Sequence, residues 1–583
     1  MRNMVEDRRR RSRRDERRRA SGSLRASALL ATVALVLAAC GGDDGGAGSA
    51  GDDGSAEGGS ASSAAAVFVH AGDDEPGSLD PAEEETGETG ETMIYQVYER
   101  LLEISPDGPD LVPGLATEIP TPDNGLISDD KLTYTFPLRD GVVFHDGTPF
   151  NAEAVKFSWD RVVEMDLPGS SVGFIADNVA EVRVVDDLTV EVELLEPNAG
   201  FLNSVVVNPV ASIVSPTAVE ENGGVVANTP NEFMTSNMVG TGAYRFVEWN
   251  RGENLRFEIF EDYWGEPARM NYRFDIVTDP DVRILGLQAG EYDTIETDPS
   301  LVPDLEGAPG VRIDAEGLLL EPIHIGFNLN APRDLVPEED TVAGDFFADV
   351  NVRRGFTCAF DYEGFLAGAL GGYGDFNPHY LPIGIFGTDL TAPIYAEQDY
   401  ECAEAAFRAA GVWDEGFTVS VITEAANLFE TAALVLKDSI EGLNENFSIR
   451  VLAQAEAQFD EAHASDPIPY SMWIKNTDPF ADPHFYMSEY VDPEGSWGQV
   501  HGFAQGYEDP ERITSLIAEA KVELDLDRRA ELYAELQRIL YDDPMWIIAA
   551  QEGAVMAYSE DVEGFVRNPL WPRPNIKFKF LSK

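Results

Sequence analysis

The pentapeptide GSSVG, Gly169 to Gly173, carries the spacing of a nucleophile elbow with Ser171 as its serine. That turn supports acyl transfer only where a strand runs directly into the serine and a helix leaves it, because the sharp reversal is what exposes the hydroxyl. Here the preceding stretch DRVVEMDLP reads as a helix entering a proline turn. Hydrolysis by Ser171 is therefore the alternative of another class, and the chain is not expected to be an enzyme. Seven histidines stand at 70, 145, 324, 379, 463, 484 and 501 without a His-Glu-x-x-His or paired Cys/His spacing, so no metal is expected. The GTGAYR stretch lacks the third glycine of a phosphate loop and sits in a hairpin pattern, so no cofactor is expected either.

Cysteine is the other source of chemistry, and there are three. Cys40 follows an apolar or small run from Ala26 to Ala39, which at 1.5 Å rise spans about 21 Å and is too short to cross a bilayer. An arginine-rich stretch precedes the run and small residues end it, the pattern of an export signal over residues 1–39. The local sequence Leu37-Ala38-Ala39-Cys40 resembles a bacterial lipobox, which makes Cys40 the expected lipid anchor. Residues 40–66 hold no large apolar side chain and are expected to be a Gly/Ser/Asp-rich tether, with an r.m.s. reach of about 28 Å. Export implies an oxidising compartment, which leaves Cys358 and Cys402 either bridged or as two buried thiols.

Composition bounds the rest. With 41 basic and 105 acidic residues the formal charge is −64, a surface that repels nucleic acid. The residues beyond the tether are too many for one core and suit two or three domains. No later apolar run approaches a membrane span, so the body is expected to be soluble and monomeric, touching the membrane only through its anchor.

The elements that would position any site alternate between hairpins and helices. Met93, Ile94, Val97, Leu101 and Leu102 share helical spacing. Leu132, Tyr134, Phe136 and Leu138 alternate through a strand, Asp140-Gly141 turns, and Val142 to Phe144 returns, which predicts a hairpin. Asn151 is placed to cap a helix burying Val155, Trp159 and Val162. Further hairpins are expected to turn at Asp186-Asp187 and at Arg251 to Asn254, and VRILGLQAGEYDTIE reads as helix, glycine cap and strand. PIHIGFNLN is a strand of fully buried type, and a last amphipathic helix starts from a cap at Asp527 and buries Leu532, Leu536, Ile539 and Leu540.

The blocks LTYTFPLRDGVVFHDGTPFNAEAVKFSWDRV, VGTGAYRFVEW, DPDVRILGLQAGEYDTIE, FADVNVRRGFTCAFDYEGFL and DRRAELYAELQRILYDDPMWI, in this order, resemble the family 5 extracytoplasmic solute-binding proteins of ABC importers. That resemblance implies a mixed α/β, two-lobe clamp of the type II periplasmic-binding-protein kind. A first lobe would span 67–321, with an inserted subdomain at about 100–205, a second lobe 322–544, and residues 545–583 would return to the first. It implies an extracytoplasmic receptor that hands a small ligand to ABC permease subunits; a peptide is the first expectation and an oligosaccharide the alternative. In that family a Trp-x-x-Asp-x-x-Asp-Pro segment faces the ligand, and its first Asp meets the α-amino group of peptides. This chain has MWIKNTDPFADPHFYMSEY, where the spacing leaves Asn476 and Asp478 as rival occupants of the amine position, near Asp482. Tyr470, Trp473 and Trp497 would wall the ligand or lie in the core. The resemblance also allows His379, His484 and His501 to approach one another, as a nickel-handling member would require.

Overall fold

A computed structural model describes residues 66–583 except 84–86, 107, 168–169, 298, 316, 377–378, 426, 464, 466–467, 478–479 and 572–575. The expected signal, the anchor Cys40 and all but the end of the tether lie outside the described residues. Among those described, no helix is long and apolar enough to cross a membrane.

A first sheet of seven strands runs in the order Val311–Asp314, Met556–Ser559, Thr294–Ile295, Val67–Gly72, Asn271–Ile276, Asn254–Ile259 and Tyr244–Asn250. A second, of six strands, runs Gly374–Asp375, Trp546–Gly553, Leu318–Phe327, Met472–Asn476, Phe417–Glu424 and Phe447–Gln454. A third is antiparallel and has Thr133–Pro137, Thr189–Leu194 and Val179–Asp186. Each has its own buried cluster: Phe68, Phe257 and Tyr272 under the first, Phe356, Phe407 and Phe417 under the second, Phe136, Trp159 and Val192 under the third. Strand Leu318–Phe327 is paired on both edges and buried along its length, which is why its sequence is nearly continuous in apolar residues.

The first and second sheets are joined by two adjacent chain segments. One passes from Val311–Asp314 into Leu318–Phe327, the other from Trp546–Gly553 into Met556–Ser559. They pair antiparallel in both sheets, Asp314 opposite Met556 and Leu318 opposite Gly553, and the Ala554 N–H donates to the Gly317 carbonyl between them at 3.1 Å. The Arg567 guanidinium donates to the Ala554 carbonyl beside this crossing.

Several sequence expectations need correction. The return at 545 comes too early, because Trp546–Gly553 is a full strand of the second sheet. Val142 to Phe144 does not pair with Thr133–Pro137, whose ladder partner is the distant Thr189–Leu194. The helix Gly87–Val97 stops short of Leu101 and Leu102, and Leu102–Ile104 forms a strand paired with Leu111–Pro113. The last long helix, Leu526–Asp542, is capped by Asp525 rather than Asp527. Elsewhere the local signals hold: the Asn151 side chain accepts from Ala154 N–H at 3.1 Å, and Gly290 ends the helix Pro280–Ala289 with a left-handed φ of 74°.

Candidate functional site

Strand Met472–Asn476 runs antiparallel to Leu318–Phe327, with Asn476 opposite Ile323. This register brings the Asn476 carboxamide to Glu321, donating from Nδ2 to Oε2 at 3.0 Å. Glu321 is 7% exposed and stands in a strand that is otherwise apolar, except for His324. An amide donor and a buried carboxylate are therefore paired three residues from the Leu318 end of the strand, where the chain crosses between sheets. Such a pair suits an ammonium or hydroxyl group, and a buried carboxylate needs a cationic or hydrogen-bonding partner to offset its desolvation. Sequence reasoning missed Glu321; a lone acid inside the run LLLEPIHIGF was the available signal. Asp478 lies outside the described residues.

The expected aromatic walls separate into core and surface. Trp473 is fully buried, stacks on His501 with ring centroids 3.7 Å apart, and covers Gly326, where a Cβ would lie 2.1 Å from the indole. Tyr470 is 2% exposed and packs against Trp473 and His463. Both are buried in this structure, as the core reading of these rings expects. Trp497, stacked on Trp546 at 5.4 Å, is the one of the three that keeps accessible surface.

Asp482 is held by partners within the fold. It is 1% exposed, accepts from two Arg529 nitrogens at 2.7 Å each, and caps the helix Pro483–Tyr490 by accepting from His484 N–H at 2.9 Å. These three bonds tie the strand-to-helix turn to the helix Leu526–Asp542. His484 itself is buried, and burial pushes its imidazole down to about 4, with Asp482 opposing the shift. His379 lines a small internal cavity with Thr357, Tyr362 and Tyr380, while His501 lies under Trp473. The three histidines do not converge, and among the described residues no group of His, Cys, Asp and Glu could hold a metal ion. Cys358 and Cys402 are joined in a disulfide linking the helices Val350–Ala359 and Tyr400–Ala409.

Ser171 is exposed on a turn between the helices Ala152–Met165 and Gly173–Ala176, with its carbonyl taken by Phe174 N–H at 3.1 Å. A strand does not lead into it, so the elbow geometry is not met.

Comparison with known proteins agrees with this architecture. The chain is 27% identical over 508 residues to "Probable D,D-dipeptide-binding periplasmic protein DdpA" of Escherichia coli K12, covering 85% of this chain and 90% of the relative. It is 28% identical over 457 residues to the glutathione-binding protein GsiB of Pectobacterium atrosepticum, covering 76% and 82%. Among solved structures, DppA from Helicobacter pylori in complex with the peptide STSA superposes with a TM-score of 0.69 at 22% identity, over 88% of this chain and 98% of that one. The fold is thus the two-lobe, type II clamp of periplasmic binding proteins. Residues 110–535 match the family model described as "Bacterial extracellular solute-binding proteins, family 5 Middle", and the chain belongs to that family, the solute-binding proteins of ABC importers, rather than to an enzyme class.

Proposed function

We propose that this protein captures a small peptide outside the cytoplasm and delivers it to ABC permease subunits by closing its two lobes around it. The observation that carries the peptide reading is the set of relatives: they are named for D,D-dipeptide and glutathione, and a neighbour of the same fold holds a peptide. An oligosaccharide ligand has no comparable support. In this reading the first lobe is built on the first and third sheets and the second lobe on residues from Leu318 to Gly553. The paired crossing at Gly317 and Ala554 serves as the hinge. Cys40 anchors the mature chain by a lipid, with residues 40–66 as its leash.

Binding is then a population shift. A ligand that touches both lobes only when they are closed moves the open/closed equilibrium by its differential affinity and by nothing else. Glu321 and Asn476 are assigned to the peptide's ammonium group, with Asp478 as the neighbouring carboxylate and Trp497 as an apolar wall. An ammonium taken from water with no carboxylate to meet it forfeits several kcal/mol.

Calorimetric titration with a defined dipeptide and tripeptide pool tests this. Free-amine peptides are expected to bind, their N-acetylated forms to bind at least about tenfold more weakly, and Glu321→Gln to lose a similar factor. Equal binding of free peptides to wild type and Glu321→Gln would remove Glu321 from the site. Heat from xylo- or cello-oligosaccharides, and none from peptides, would overturn the peptide reading.

A further inference from the structure

Segments flanking the strands of the three-stranded sheet touch the second lobe far from the hinge in sequence, and they do so at several independent points. The Phe174 ring stacks on Phe485 with centroids 5.0 Å apart, and Phe485 in turn stacks on Phe480 at 5.1 Å. The Ala199 N–H donates to the Lys521 carbonyl at 2.7 Å, and the Lys521 ammonium pairs with Glu196. Lys131 Nζ donates to the Val522 carbonyl at 3.4 Å. Most telling is Gly200: an added Cβ would meet Asp482 Cγ at 2.7 Å, Oδ1 at 2.8 Å and Oδ2 at 3.0 Å.

We propose that these contacts form a latch between the lobes, with the missing side chain of Gly200 as the steric key that lets the lobes meet. This inference rests on the reading that the lobes move about the hinge. Three facts give Gly200 that role. Its backbone sits at φ −85°, ψ 0°, the geometry of the third residue of a type I turn, which most residues adopt, so glycine is not required there by conformation. The three nearest atoms a Cβ would meet all belong to Asp482, across the lobe boundary. Asp482 cannot yield, because Arg529 grips both its oxygens and the His484 amide holds one of them. The buried Arg529–Asp482 pair thus presents a fixed carboxylate for the glycine to rest on. Phe174 follows directly from the GSSVG turn, so that stretch, which carries no chemistry, acquires a mechanical use: it delivers a half-buried aromatic ring to the opposite lobe.

Hydrogen exchange at the Ala199 amide, resolved within the segment 196–204 and corrected for intrinsic rate, reads the latch directly in the full chain. In the wild type this amide is expected to be protected, and more so with the peptide pool. Gly200→Ala places a methyl on Asp482 and is expected to raise exchange at Ala199 at least about tenfold without lowering Tm. Phe174→Ala, which leaves the Ala199 segment untouched, is expected to act in the same direction and decides the matter if Gly200→Ala proves unstable. Wild-type exchange that responds to peptide while both variants match wild type overturns the latch and leaves the clamp standing. Variants that speed exchange in a chain that ignores every peptide support the latch and count against the ligand assignment instead.

Discussion

At the residue scale, His145 shows how a turn motif is held by one neutral imidazole. Its Nδ1 accepts from Gly240 N–H at 3.2 Å while Nε2 lies 2.9 Å from the Gly242 carbonyl, which assigns the proton to Nε2. Burial pushes its pKa down to about 4, outweighing the Gly242 carbonyl bond that favours the charged form. A histidine lowered in the folded state and near 6.5 when unfolded contributes its full stability above about pH 6.5. That contribution is lost as pH falls toward about 4, at roughly 1.4 kcal/mol per unit. His145→Gln removes the titrating group, so the stability gap between wild type and variant is expected to narrow between pH 7.5 and pH 4.5. Urea unfolding at the two pH values checks this, and a constant gap would contradict it. Comparing the variant pair matters because burial also raises Glu99, first against the bonds from Trp264 and Tyr263, and that group works in the opposite sense. The same scale explains what sequence did not reveal. Trp473 and Trp497 look alike in a string of letters, yet one roofs Gly326 in the core and the other keeps a free face, because burial is decided by partners far away in the chain.

Elements were legible where their signals are local. Asn151 caps its helix through its own side chain, Gly290 ends another by adopting φ 74°, and the tip at Arg251 to Asn254 turns between strands only a few residues apart. The reading failed where pairing is non-local: Asp140-Gly141 is a genuine turn, with Gly141 at φ 77°, but the strand before it pairs with Thr189–Leu194. The Arg529–Asp482 pair was invisible for the same reason, since its members lie 47 positions apart. Element-scale stability also rests on the bridge between the helices Val350–Ala359 and Tyr400–Ala409. Cys358 and Cys402 are separated by 44 residues, and closing such a loop restricts the unfolded chain by up to about 4 kcal/mol on the entropy model. The Cys358→Ser, Cys402→Ser double variant is expected to unfold at lower urea by a corresponding margin, and an unchanged midpoint would show that the bridge adds nothing.

For the whole molecule, the alternation of hairpins and helices gave only mixed α/β lobes, and the two-lobe clamp came from the family resemblance of the ordered blocks. The boundaries were harder to place because each crossing segment leaves one sheet and enters the other within a few residues, Asp314 to Leu318 and Gly553 to Met556, so nothing in composition marks the change. Two short crossings side by side are also what the proposed hinge needs, since they can bend together while each sheet keeps its own core. The formal charge of −64 disfavours contact with nucleic acid, and the buried cations Arg529 and Arg353 are paired with Asp482 and Asp543. The most direct measurement is small-angle scattering of the full chain, titrated with the same peptide pool whose binding is followed by calorimetry. A radius of gyration that falls in step with the bound fraction is the predicted result. Saturating heat of binding with unchanged dimensions, or consumption of the peptide, would contradict a clamp that closes on its ligand and returns it intact.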